Sequence, residues 1–181
     1  MALKSTGNPP PGTPAKSAQD PLGKFLAAWR NRRIAREVVA PFLDVACGDN
    51  RLVRSQSGGI GVDIVDYGAG ATVVERLDRL PFADGTFACV TIVASLNYCD
   101  DPRAVLAESA RVLVTGGRVL LTTIDPSVGR LWHRFREPWA SAPGFDERKL
   151  ALLLKGLPLR ITRRRWFMLG LNHLYELSHH P

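Results

Sequence analysis

Two residues fifteen positions apart, Gly48 and Asp63, carry the strongest chemical signal in this 181-residue chain. Gly48 lies in Ala46-Cys47-Gly48-Asp49-Asn50, which closes the apolar run Phe42 to Ala46. A glycine at such a turn lets a ligand meet the backbone with no Cβ in the way. Asp63 falls at the end of a second run, Ile60 to Val65, which follows Gly58-Gly59. A carboxylate at a strand end can accept both hydroxyls of an adenosine ribose. Ligands of open parallel sheets gather at the C-terminal strand ends, so turn and acid together point to an adenosine cofactor.

The turn also narrows the choice of cofactor. A dinucleotide fingerprint read from position 46 would meet Ala46, Gly48 and Arg51, and arginine is a poor fit where a small residue must pack helix on strand. No Walker pattern is present. A pyrophosphate ligand is therefore disfavoured and a phosphate-free adenosine ligand is not. S-adenosylmethionine (SAM) meets that description, and its sulfonium cation suits the charge distribution. Residues 41–125 hold 7 Lys/Arg and 11 Asp/Glu, whereas residues 1–40 hold 7 and 2, and residues 126–181 hold 10 and 4. An acidic centre favours a cation, and basic flanks suit an anionic substrate or surface. Solvated faces with no specific partner are an equal reading of those flanks.

These residues need a scaffold, and the apolar patterning supplies one. Phe87 to Leu96 is a continuous apolar run, as in a strand covered on both faces. Asp101-Pro102 offers an N-cap and an N1 proline for a helix carrying Val105, Leu106, Val112 and Leu113, with Gly116-Gly117 as its stop. Val119 to Ile124 is the next strand, so strand, helix and strand form a βαβ unit. Thr72 to Val74 adds a short strand, and Leu22 to Ala40 reads as an amphipathic helix ended by Pro41. A helix is expected from about Phe145 to Lys155, followed by Leu159 to Leu169 and Leu171 to Leu177 as an antiparallel pair across Gly170.

The fold class expected is α/β: a Rossmann-like, mostly parallel sheet of about seven strands with an antiparallel C-terminal strand. Helices lie on both faces, some of them shortened, because the segments between the first three strands are brief. Residues 1–21, with five prolines, read as a flexible tail, and residues 22–181 as one domain. Within it residues 126–145 are a candidate substrate lid. Trp132, Phe135 and Trp139 would either cover an acceptor or bury a helix on the sheet.

The segments Phe42-Leu43-Asp44-Val45-Ala46-Cys47-Gly48, Gly61-Val62-Asp63, Leu80-Pro81-Phe82-Ala83-Asp84-Gly85-Thr86-Phe87 and Asn97-Tyr98-Cys99-Asp100-Asp101-Pro102, in that order, closely resemble the class I SAM-dependent methyltransferases. The nearest group is the small methyltransferase-11-type domains, and the likeness covers about residues 40–125. The resemblance implies that Asp44 and the backbone of Ala46, Cys47 and Gly48 hold the methionine part of SAM. It implies further that Asp63 holds the ribose, Ile64 packs on the adenine, Leu77 and Asp78 border it, and Ser95 and Leu96 lie under the methionine moiety. The chain departs from the family at Ala46 and Asn50, where glycine is usual, and at Arg76, where an acid is common.

Methyl transfer from a sulfonium needs alignment above all, and orientation alone supplies roughly 7–11 kcal/mol. A general base is required only for a protonated nucleophile. Tyr98, Asp125 and His133 lie near the expected rim and are the candidates. The expected acceptor is a small molecule, and no nucleic-acid motif is present. The Arg163-Arg164-Arg165 run allows peripheral contact with an anionic membrane but reads more simply as a solvated strand face. Cys47, Cys89 and Cys99 have no metal or disulfide spacing, and His173, His179 and His180 are too scattered for a metal site. No apolar stretch spans a membrane or forms a secretory signal, and the odd cysteine count leads to the expectation of a reducing cytoplasm. Two alternatives stand beside an active methyltransferase: a degenerate domain that acts as a binding or partner subunit, and a nucleotide-dependent oxidoreductase.

Overall fold

The computed structural model describes residues 21–135 and 144–180, and the side chains of all of these except 132–135. Seven strands form one sheet in the order β3-β2-β1-β4-β5-β7-β6. They are β1 (Phe42–Val45), β2 (Gly59–Asp63), β3 (Thr72–Val73), β4 (Phe87–Val93), β5 (Leu113–Ile124), β6 (Leu159–Phe167) and β7 (Asn172–His179). Pairing is parallel from β3 through β5, and β7 runs antiparallel to both its neighbours. The expected Rossmann-like sheet with its antiparallel C-terminal strand is the observed one.

Strand residues alternate between two faces, and each face carries its own core. One core joins Leu43, Val45, Val90, Ile92 and Leu121 to Val105 and Leu106 of α3 (Pro102–Val112) and to Leu150 and Leu154 of α5 (Glu147–Leu154). The other joins Phe42, Cys89, Leu120 and Leu174 to Ile34 of α1 (Pro21–Ala35) and to Leu52 of α2 (Arg51–Arg54). Helices therefore cover both faces, and α2 is a single turn. Asp101 caps α3 by accepting the Ala104 N–H at 3.0 Å, with Pro102 at its first turn, and Asp146 caps α5 through Lys149.

Several boundaries differ from the sequence expectation. The first helix ends at Ala35 rather than Ala40. It is not cleanly amphipathic either, because Leu22, Phe25 and Trp29 face solvent. Gly116-Gly117 does not stop α3. Leu113 already adopts extended angles, and the glycines lie within β5, where the register against β4 slips between Phe87 and Cys89. The strand expected to reach Leu96 stops at Val93, because Ala94 turns left-handed and Leu96–Tyr98 forms a single 3-10 turn. The final turn is longer than expected: residues 168–171, rather than Gly170 alone, separate Phe167 from Asn172, and Met168, Leu169 and Gly170 are all left-handed.

Candidate active site

The sheet order sets the layout of the ligand edge. At the C-terminal ends of the parallel strands lie, in spatial order, Asp63 (β2), Ala46–Asn50 (after β1), Ala94–Ser95 (after β4) and Asp125 (after β5). Strands lie about 4.8 Å apart, so Asp63 and Asp125 are separated by three intervals, roughly 14 Å. That is room for an extended nucleoside-type ligand with its ribose at β2 and its far end between β4 and β5.

The turn after β1 is built from left-handed residues in alternation: Ala46 (φ 54°), Gly48 (φ 55°) and Asn50 (φ 53°). For a residue with a side chain such angles cost roughly 1–2 kcal/mol, least for asparagine. Both departures from the family pattern thus keep the left-handed backbone. The Cys47 N–H donates to the Val62 carbonyl at 3.1 Å, which pins the turn to β2. Asn50 adds what glycine could not: its Nδ2 donates to the Ala69 carbonyl at 3.2 Å, tying the turn to the loop after β2. Its Oδ1 is buried against Gly61, where a Cβ would come within 2.1 Å of it. Gly61 is required by this packing.

Asp63 and Gly48 meet directly. The Gly48 N–H donates to Asp63 Oδ2 at 2.8 Å, and the Val65 N–H donates to Oδ1 at 3.2 Å. Each carboxylate oxygen keeps a lone pair, enough for two ribose hydroxyls. Nothing lies within 4 Å of where a Cβ on Gly48 would stand. Burial raises the Asp63 pKa, and the backbone donors of Gly48 and Val65 oppose that shift. The residues fit the adenosine half of SAM in charge and acceptor count.

Asp44 is 2% exposed, and Thr91 Oγ1 donates to its Oδ1 at 2.7 Å. Burial first, helped by the nearby Asp63 and Asp49 charges and opposed by the Thr91 bond, lifts its pKa to about 7. Three carboxylates so placed favour a cation. The Cys47 thiol is pushed up to about 12 by burial and by Asp44 and Asp63, so it does not serve as a nucleophile. The Tyr67 pKa is raised by burial and by Asp63 and Cys47, which sets its ring near both. Ile64, next to Asp63 in the chain, is exposed, as a residue available to an adenine face would be. Leu77 packs against the core, and Asp78 is held by Arg76 in a two-pronged ion pair of 2.8 and 2.6 Å. Ser95 Oγ donates to the Val45 carbonyl at 3.4 Å, and the Leu96 side chain is buried in the core.

The far end of the edge holds an assembly that sequence reasoning missed. His173, 1% exposed, bonds Asp125 Oδ2 through Nε2 at 2.9 Å. Arg164 Nε donates to His173 Nδ1 at 3.2 Å. A guanidinium only donates, so His173 Nδ1 accepts and Nε2 carries the proton donated to Asp125. Arg164 is itself held by Glu147 at 2.8 Å, and the Trp166 and Tyr175 rings flank the imidazole. The Ser127 hydroxyl and N–H also bond Asp125. Ser127 first, then His173, holds the Asp125 pKa down at about 2. Asp125 is thus a fixed anion rather than a proton acceptor. Only the β5–β7 register, which sets Thr123 opposite His173, joins residues 48 positions apart. Tyr98 sits in the 3-10 turn after β4. The His133, Trp132, Phe135 and Trp139 side chains lie outside the described residues, as do most of residues 1–21. Among the described residues no cluster of His, Cys, Asp and Glu could hold a metal ion, and no helix is long and apolar enough to cross a membrane.

Several known proteins that this chain resembles in sequence or fold are methyltransferases. Residues 43–121 match the model of a methyltransferase domain family. A demethylmenaquinone methyltransferase of Paenarthrobacter aurescens is 29% identical over 136 residues, covering 63% of this chain and 53% of that protein. A ubiquinone/menaquinone biosynthesis C-methyltransferase of Desulfotalea psychrophila is 51% identical over 51 residues, 28% of this chain and 21% of that protein. The chain thus spans about half, or less, of the length of these relatives. A SAM-dependent methyltransferase from Thermotoga maritima has the same fold, with a TM-score of 0.70 at 17% identity over 86% of this chain and 92% of that one. One from Aquifex aeolicus gives 0.68 at 15% identity over 91% and 96%.

Proposed function

We propose that the chain is a class I methyltransferase-type domain, as the match of residues 43–121 and the shared fold support, and that it transfers a methyl group from SAM to an oxygen, nitrogen or carbon of a small-molecule acceptor. The observation that carries this reading is the Asp63 carboxylate 2.8 Å from the Gly48 amide, across a backbone with no side chain in the way. When bound, SAM supplies a methyl group already activated on a sulfonium. Asp63 takes the ribose hydroxyls, with Tyr67 and Ile64 beside the adenine. Asp44 and the Ala46–Gly48 backbone take the charged methionine end, with Ser95 and Leu96 at the next strand end and Leu77 and Asp78 on the adenine side. Asp125, an anion locked by His173 and Ser127, receives a hydroxyl or amine of the acceptor and orients it. Orientation is the main demand of an in-line displacement.

Residues 22–181 act as one domain in this reading, and the candidate lid at 126–145 lies in part outside the described residues. Three free thiols, each with its pKa raised by burial, favour a reducing cytoplasm, and the basic flanks suit peripheral contact with an anionic membrane. One observation favours the second reading, a degenerate binding subunit: Arg76 engages the Asp78 carboxylate on the adenine side. Binding without turnover would mark that outcome.

The test is a thermal shift with S-adenosylhomocysteine and, separately, NADH, on the native chain and on Asp63→Ala. Stabilisation by S-adenosylhomocysteine alone, lost in the variant, is expected. No shift with either ligand overturns the cofactor assignment.

A further inference from the structure

The β6–β7 hairpin presents apolar side chains to solvent where a soluble turn has no use for them. Leu169 is 95% exposed and left-handed at φ 56°, between Met168 and Gly170, which are left-handed too. Glycine or asparagine would hold this turn at less strain. Leu171 beside it is 37% exposed, and Trp166 on the ascending strand is 54% exposed. Leu131, 62% exposed, lies on α4 (Pro126–Phe135), which starts beside the hairpin, since the Asp125 N–H donates to the Leu171 carbonyl at 2.9 Å.

The order of residues below the tip identifies what covers it. Residues 159–171 contain Arg160, Arg163, Arg164 and Arg165 and no acid. Down the strand from Leu169 come Trp166, then Arg165, Arg164 and Arg163. At about 3.3 Å per strand residue, the arginines begin roughly 7 Å below Phe167, where the turn starts. Apolar tip, then tryptophan, then arginine is the sequence of layers in a lipid interface: acyl chains, headgroup boundary, phosphates. The arginines also outnumber the acids that hold them. Arg33, Arg163 and Arg165 all bond Glu37, and Arg163 shares Glu176 with Arg118. Four guanidinium groups on two carboxylates leave a positive surplus, which complements anionic lipid.

We propose that the β6–β7 tip, with Leu131 of α4, docks this protein on an anionic lipid surface. Docking turns the Asp125 end of the ligand edge toward the bilayer. Taken with the methyl-transfer reading, on which this last step alone rests, it assigns the acceptor to lipophiles dissolved in the membrane, with a polar group at the headgroup level.

The experiment is co-sedimentation of the full chain with vesicles of phosphatidylcholine alone and of phosphatidylcholine with about 30% phosphatidylglycerol, at low and high salt. The native chain is expected to pellet with the anionic vesicles and to be released by salt. Leu169→Asp, at a fully exposed position where aspartate suits the backbone, is expected to weaken binding about tenfold or more. Both proteins are checked for an equal S-adenosylhomocysteine thermal shift and for mass by ultracentrifugation. Absence of native binding to either vesicle overturns the proposal, as does unchanged binding by the variant. A native dimer that Leu169→Asp turns into a monomer overturns it in favour of a second copy as the occupant. A missing S-adenosylhomocysteine shift in a chain that still binds vesicles overturns the cofactor reading and leaves the docking intact.

Discussion

Asp44 and Asp125 lie near the same edge of one sheet, on strands separated only by β4, yet they are opposite kinds of carboxylate. Asp44 is buried at the foot of the glycine turn beside two other acids with one hydroxyl donor, and its pKa rises to about 7. Asp125 receives bonds from Ser127 and His173, and its pKa falls to about 2. One half of the edge is therefore short of positive partners and suited to a cation. The other half is saturated with donors and fixed in place. The contrast teaches that donor supply, not residue type or strand position, divides the tasks.

Substitutions can break this comparison, beginning with the largest expected effect. Gly48→Val puts a β-branched side chain on a left-handed residue in the cofactor half. It should abolish the S-adenosylhomocysteine shift and lower Tm by several degrees, as seen by thermal melts. A retained shift would show that no ligand passes Gly48.

His173→Ala strikes the other half. It opens a cavity and leaves Arg164 and Asp125 without their buried partner, at a cost of roughly 2–4 kcal/mol in urea denaturation. S-adenosylhomocysteine affinity by calorimetry should stay within about twofold of native. A large loss of affinity would mean that the two halves are one site.

The third test uses pH. For Asp44 the folded pKa lies above the unfolded one, so its ionisation costs stability, and that cost grows as pH rises from 3.8 toward about 7. For Asp125 the order is reversed, so its stabilisation is complete above 3.8 and is lost as pH falls toward about 2. A cationic ligand group favours ionised Asp44. Native affinity for S-adenosylhomocysteine should therefore improve up to about tenfold between about pH 6 and about pH 8, and Asp44→Asn should flatten that profile. A slope unchanged in the variant assigns the titration elsewhere.

The smallest effect is expected for Asn50→Gly. Relief of a left-handed residue offsets loss of the bond to Ala69, so unfolding free energy should move by less than about 1 kcal/mol. Amide exchange in residues 66–71 should nonetheless quicken, because the tie to that loop is gone.

Much of the cofactor half was legible in the chain. The strands either side of Gly48 and Asp63 are short apolar runs, and the distance between them fixes one strand-to-strand return. The α3 cap at Asp101-Pro102 was equally readable, because capping is a local interaction. Element ends were less so. The glycines at 116 and 117 resemble a helix stop until β4 pairs with Leu113 and draws them into the sheet.

The sequence alone determined the α/β alternation, the glycine turn and the strand-end acid, since each depends on neighbours within a few residues. Only the tertiary structure decided that His173 stands against Asp125, that Thr91 caps Asp44 and that Leu169 projects into solvent. Those outcomes depend on strand order and register, which bring together residues 47 or 48 positions apart. Burial and donor supply, which set the charge on each carboxylate, exist only once the sheet has closed around them.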